Sequence, residues 1–147
     1  SVVGSLCEAY QDSTRHDAAG HWVNLLFDRD TPVLTVKSPY THDCLEINLK
    51  QPGPLFVRVP PWVEPNDLSI EGAPAPTRWN SHYLFFENAP IGLPIRLRFP
   101  LKESTLTLTS RHHPQPIRVR LAGDGPVAMD NFGMDLTYFE TYEAGAA

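Results

Sequence analysis

The sequence is short of several things that would narrow its function at once. It has two cysteines in 147 residues, too few for a disulfide framework. Cys7 and Cys44 have no metal-type spacing and do not fix a redox compartment. No P-loop, Gly-x-Ser-x-Gly elbow, His-Glu-x-x-His or Cys-x-x-Cys motif is present. No apolar run approaches the roughly 20 residues of a membrane-spanning helix, so no membrane partner is expected. Basic residues are scarce: 12 Lys and Arg face 17 Asp and Glu, a net charge of −5. With no basic cluster, that balance argues against nucleic acid. There is no internal repeat or low-complexity segment. The chain opens at Ser1 without a basic flank before an apolar core, so it shows no signal peptide and reads as a fragment or a processed piece.

Proline is abundant. Fifteen prolines and nine glycines are scattered along the chain and cut it into short strands and turns. Residues 55–63 (Leu-Phe-Val-Arg-Val-Pro-Pro-Trp-Val) show the pattern best. Leu55, Val57 and Val59 alternate with Phe56 and Arg58, as a strand requires. Pro60 and Pro61 end it, having no N–H for a ladder. Trp62 then sits on a stiffened backbone. It reads either as a plug over the open end of a β-sandwich core, the preferred reading, or as a sugar-stacking platform.

Residues 1–10 differ from the rest. Val2, Val3, Leu6, Cys7 and Tyr10 make one apolar helical stripe, weakened by Gly4. Residues 11–20 read as a polar loop, and the signals from His21 onward are β. Strands are expected at 22–27, 33–37, 43–50, 55–59, 68–70, 81–87, 94–99, 104–109, 116–121, 127–129 and 136–139. The tight Gln51-Pro-Gly-Pro54 link predicts an antiparallel hairpin between strands 43–50 and 55–59. About ten short strands without an intervening amphipathic helix predict an all-β fold. It is an antiparallel, jelly-roll-like β-sandwich with one short N-terminal helix. The expected organisation is a helix and loop over 1–20, left from a preceding helical domain, a sandwich over 21–142 and a tail over 143–147.

Four groups of residues are candidates for chemistry. His42, Cys44 and Glu46 share one face of a regular strand and include zinc-ligating types, but adjacent same-face tips splay apart. The preferred reading is a partly buried cysteine among polar neighbours. His112 and His113 point to opposite faces of an extended chain and are expected in an exposed loop. Arg96, Arg98, Arg118 and Arg120 suggest a basic stripe on neighbouring strands, with an ion-paired, solvated sheet face as the preferred account. Trp62, Trp79 and Tyr83 are candidate sugar-stacking rings. Arg78, Asn80 and His82 lie beside Trp79 to orient hydroxyls; core packing is the rival explanation. No catalytic pair, metal or cofactor is expected of this chain.

Taken together, the Tyr10 helix with Trp22-Val-Asn-Leu-Leu-Phe27, the run Leu55-Phe-Val-Arg-Val-Pro-Pro-Trp62, and Ile95-Arg-Leu-Arg-Phe-Pro-Leu101 resemble the segment that follows the catalytic barrel in β-L-arabinofuranosidase-like glycoside hydrolases (family 127). The likeness covers roughly residues 2–101, and Arg-Val-Pro-Pro-Trp is its most specific part. It implies an (α/α)6 barrel followed by β-sandwich domains. The catalytic cysteine, glutamate and zinc ligands of that family would lie in the barrel. Cys7 and Cys44 match none of them. The expectation is therefore a non-catalytic accessory sandwich that packs on a helical catalytic barrel, of the same protein or a separate chain, and contributes to a sugar cleft. The alternative is an independent carbohydrate-binding module using exposed Trp and Tyr. A further expectation is that the N-terminal segment either folds back onto its own sandwich or mediates a homodimer, the dimer being the preferred reading.

Overall fold

The computed structural model describes residues 1–74 and 78–130. The strand expected at 136–139 and the tail at 143–147 lie outside the described residues. The chain divides into two compact units, Ser1–Phe99 and Pro100–Ala147, so the boundary falls inside the stretch expected as one sandwich.

The first unit opens with helix α1 (Val2–Gln11). The Ser1 hydroxyl caps it by accepting the Gly4 N–H at 3.1 Å. Edge strand β1 (Thr14–Asp17) and its neighbour β2 (Gly20–Val23) follow, then β3 (Arg29–Asp30) and β4 (Leu34–Lys37). Next come β5 (Leu45–Leu49), β6 (Leu55–Arg58), β7 (Ser69–Glu71), β8 (Arg78–Asn80), β9 (Tyr83–Phe86) and β10 (Ile95–Arg98). They form two sheets, in the orders β1-β2-β6-β9-β8 and β3-β4-β5-β10-β7. Inward residues alternate along each strand. Val23, Leu55, Val57, Leu84 and Phe86 come from the first sheet, and Leu34, Val36, Leu45, Ile47, Leu49, Ile95 and Leu97 from the second. All belong to one buried cluster. Each such side chain contributes about 1.5–3 kcal/mol when fully buried. The unit is thus an all-β sandwich, as the alternation predicted.

Three details differ from the sequence reading. The loop expected at 11–20 contains β1, whose His16 lies opposite His21. The expected strand 22–27 stops at Val23. The predicted 43–50/55–59 hairpin does not form, because β5 belongs to one sheet and β6 to the other. Residues 51–54 are a crossing between layers. Pro52 and Pro54 deny the turn the N–H groups that a continuing ladder needs. Instead, the Pro54 carbonyl accepts the His21 N–H at 2.8 Å. That bond seats β6 beside β2 in a parallel pairing, Leu55 opposite His21 and Val57 opposite Val23. The other strand pairings of the two sheets are antiparallel.

The crossing is tight. Gly20 has φ 140° and Gly53 has φ 145°. A Cβ on Gly20 would overlap the Pro54 carbonyl oxygen, and one on Gly53 would press on the His21 ring.

The second unit contains β11 (Glu103–Ser110), β12 (His113–Ala122) and β13 (Gly125–Met129), in that order in one antiparallel sheet. Leu106 pairs with Val119 and Leu108 with Ile117. Residues 114–116 fall where the register shifts, between Leu108 and Ser110. A bulge is the place in a strand that tolerates Pro114 and Pro116.

Gly20→Ala should therefore cost more than about 2 kcal/mol, since a strained φ and a backbone overlap act together. Gly92→Ala is the control: its φ is 72° but nothing lies within 4 Å of the added carbon. That change should cost only about 1 kcal/mol. Thermal melting of the two variants checks both, and equal losses would contradict the tight crossing.

Candidate functional site

The four candidate binding residues lie on different surfaces. Tyr83 projects from the outer face of the first sheet. Its hydroxyl donates to Asn24 Oδ1 at 2.8 Å. Trp79 pairs with Leu84, whose side chain is buried in the core. It is therefore on the inward side of edge strand β8, yet 47% exposed. Alternation puts Arg78 and Asn80 on the opposite face from Trp79, so they do not flank its ring. His82 is exposed in the β8–β9 turn, and its carbonyl accepts the Val59 N–H at 2.9 Å.

Trp62 is half-buried against the core cluster. Its ring meets Phe99 edge-on, with centroids 5.8 Å apart and planes at 68°. The indole N–H is buried and has no hydrogen-bond partner among the described residues. Trp62 thus occupies the place of a plug, without the polar partner expected for its N–H.

The outer face of the first sheet carries a feature that the sequence reading missed. Register places Trp22 beside Phe56, and Phe56 beside Phe85. The Trp22 and Phe56 rings stack at 3.9 Å with planes 8° apart. Phe56 and Phe85 follow at 4.9 Å. Tyr83 meets Trp22 edge-on at 5.4 Å. Outer faces of sandwich sheets are ordinarily polar. The only signal in the sequence was that Phe56 and Phe85 alternate with core residues. Their adjacency needs the sheet order, and in particular the parallel β2–β6 pair. At one end of the row, Trp22 Nε1 donates to Asp17 Oδ1 at 3.0 Å. That hydrogen bond holds the Asp17 carboxyl below the usual range, with Arg15 acting in the same direction.

The second sheet's outer face is of the opposite kind. Glu46 accepts from Arg96 Nε at 2.9 Å and faces Lys37 Nζ at 3.3 Å. Arg98 bridges Glu71 at 3.2 Å and Asp43 at 3.3 Å. This is the ion-paired face the preferred account expected. The four-arginine stripe itself does not form: Arg96 and Arg98 are on β10, which pairs with β5 and β7, whereas Arg118 and Arg120 are on β12, in the second unit's sheet. Arg118 pairs with Asp130 at 3.0 Å.

The His42–Cys44–Glu46 group is likewise divided among other partners. Glu46 is engaged as above. His42 Nδ1 is 2.9 Å from the Thr41 hydroxyl and 3.4 Å from Asp28. Cys44 is buried, and burial pushes its thiol up in pKa. Among the described residues no group of three or more His, Cys, Asp or Glu is arranged to hold a metal. His112 is exposed in the turn before β12, and His113 begins that strand.

A third surface surrounds α1. Val2, Val3 and Leu6 are 78%, 71% and 65% exposed. Tyr10, at the helix end, is fixed to the sandwich. Its hydroxyl donates to the Asp28 carbonyl at 3.0 Å. The Arg29 guanidinium lies 4.5 Å from the ring centroid, and Phe27 is 6.2 Å away. Phe27 is itself exposed. No helix among the described residues is long and apolar enough to cross a membrane.

Comparison with known proteins returned no match to a protein-family model, a curated protein or a solved structure.

Two variants test this geometry. Trp62→Ala should cost about 3 kcal/mol as a cavity opens, whereas Trp62→Phe should cost under about 1.5 kcal/mol. The second removes an N–H that is buried without a partner, which offsets the lost area. Equal costs would contradict the placement. For Glu46, burial pushes the pKa up, but hydrogen bonds from Arg96 and Lys37 outweigh it, and the net shift is down. A depressed carboxylate stabilises the fold above its unfolded pKa, and that contribution is lost as pH falls through the folded value. Glu46→Gln should thus lower stability by about 1 kcal/mol at pH 7. The gap should close as pH falls through that lowered folded value. Denaturant melts at pH 7 and in acid check this.

Proposed function

We propose that this chain is a non-catalytic accessory β-sandwich of a glycoside hydrolase-like protein, docking a helical domain or subunit through α1. The observation that carries the docking is a helix whose apolar stripe is bare although its last turn is pinned. A ten-residue helix is marginal alone in water. Here the Ser1 cap and the Tyr10 anchor hold it in place with Val2, Val3 and Leu6 turned to solvent. Side chains at three- and four-residue steps are the ridges that one helix offers to the grooves of another. Phe27, beside Tyr10, extends the surface onto the sandwich. The link to carbohydrate-active enzymes is supported by the resemblance of Leu55-Phe-Val-Arg-Val-Pro-Pro-Trp62 and the two segments described with it.

The second reading is a carbohydrate-binding module. Trp79 favours it, as a large ring nearly half exposed on an edge strand. Against it, Trp79, Tyr83 and Trp62 do not share a face.

Expressed alone, the helix stripe should find a second copy, because an uncovered apolar surface tends to self-associate. Sedimentation should show concentration-dependent dimers. Val3→Glu with Leu6→Glu should abolish them and leave the melting temperature within about 2 °C, as exposed substitutions do. A wild-type chain that stays monomeric at the highest concentration would remove the docking reading.

A further inference from the structure

The outer face of the first sheet is a separate surface from the helix stripe and has its own chemistry. Reading across the strands by register, Arg15 stands beside Trp22, then come Phe56 and Phe85, and Arg78 closes the row. A second row places Arg58 beside Tyr83 and Asn80. The three central rings are half-buried, and Arg15, Arg58 and Arg78 are exposed. We propose that this face is a docking site for an acidic peptide segment of a protein partner, with an apolar residue seated on the rings and carboxylates on the arginines.

The charge argument comes from the pairing of the first unit's cations. Arg15, Lys37, Lys50, Arg96 and Arg98 each meet a carboxylate, and Arg29 covers the Tyr10 ring. Arg58 and Arg78 have no carboxylate within ion-pair distance among the described residues. Both lie on this face. Asp17, on β1 at the Trp22 end of the row, is occupied by Trp22 Nε1 and Arg15. The face is therefore cationic in a chain of net charge −5, which fits a partner of opposite sign.

Ring geometry says what else the partner brings. Trp22 and Phe56 lie face to face across the strand gap, so their stacking surfaces are used on each other. What they turn outward is ring edges, the electropositive part of an aromatic quadrupole. Edges suit carboxylates and small apolar side chains. They do not suit a pyranose, which stacks on open faces. This weighs against a sugar and for a peptide. Two strand spacings separate β6, which carries Arg58, from β8, which carries Arg78, about 10 Å. An extended peptide covers that distance in about three residues. The partner segment thus has acidic residues about three positions apart around an aromatic or branched apolar centre.

The test is selection of a displayed random-peptide library against the intact chain. Enriched sequences should carry Asp or Glu on both sides of an apolar residue. A synthetic peptide of the enriched sequence should bind about tenfold or more weakly to Arg58→Glu/Arg78→Glu, with a wild-type melting temperature. Should charge reversal disturb folding, Arg58→Gln/Arg78→Gln gives the same comparison. Binding should weaken with salt and survive Arg58→Lys/Arg78→Lys in large part. Enrichment without acidic residues, no enrichment, or affinity unchanged in both charge variants would overturn the proposal. Polygalacturonate binding this face in preference to every selected peptide would overturn it in favour of an acidic polysaccharide. Because Val3→Glu/Leu6→Glu leaves this face intact, loss of the helix interface and loss of the peptide site read out separately.

Discussion

The buried imidazole of His21 holds the place where the chain changes layers. It is wholly inaccessible to solvent and uses both ring nitrogens. Nε2 lies 3.0 Å from the Gln51 carbonyl and 3.3 Å from that of Pro52. Carbonyls only accept, so Nε2 carries the hydrogen. Nδ1 lies 3.1 Å from His16 Nδ1. The same residue's backbone N–H bonds the Pro54 carbonyl. One side chain and its peptide group thus tie β1, β2 and the crossing at 51–54 together. The parallel β2–β6 register follows from that tie. The aromatic row on the outer face follows from the register, since Trp22 meets Phe56 only because Leu55 starts opposite His21.

This chain of dependence explains what was legible in the sequence. Alternation within a strand is local. The alternation of Leu55, Val57 and Val59 was therefore read correctly, and all three are buried; the α1 stripe was read correctly as helical. Partner choice is not local. Residues 51–54 look like a hairpin turn by composition, and only the absence of usable N–H groups in Pro52 and Pro54 hinted otherwise. Parallel pairing of β2 with β6 leaves no trace in either strand taken alone. For the same reason the four arginines of β10 and β12 suggested a stripe that different sheets divide. Phe56, seen alone, looked like an ordinary outward position. β1 was missed because Arg15, His16 and Asp17 are polar on both faces, and His16 acquires its role only opposite His21.

The two sheets solve the problem of an outer face differently. On the second, acids and bases from β4, β5, β7 and β10 interlock, and exposed pairs of this kind contribute little each. They keep that face hydrated and discourage association. On the first, aromatic rings cover one another. Stacking lets Trp22, Phe56 and Phe85 hide part of their area without a partner, so the face is tolerable in an isolated chain. It is not fully hidden, because each ring lends a surface only to its neighbours along the row.

That difference assigns the surfaces distinct roles. A face whose ions are satisfied internally has little to gain from a partner, since docking would break pairs already made. A face with half-covered rings and two arginines without carboxylates gains both apolar burial and ion pairing when an acidic partner arrives. The helix stripe gains apolar burial alone. The first unit therefore carries two unlike surfaces, one apolar and helical, the other cationic and aromatic, held on the same sandwich. A scaffold of that form can be seated on a helical neighbour through α1 while its aromatic face stays available to a second, acidic segment. This is a more economical account of the bare surfaces than a sugar cleft, which would need open ring faces that Trp22 and Phe56 have already spent on each other.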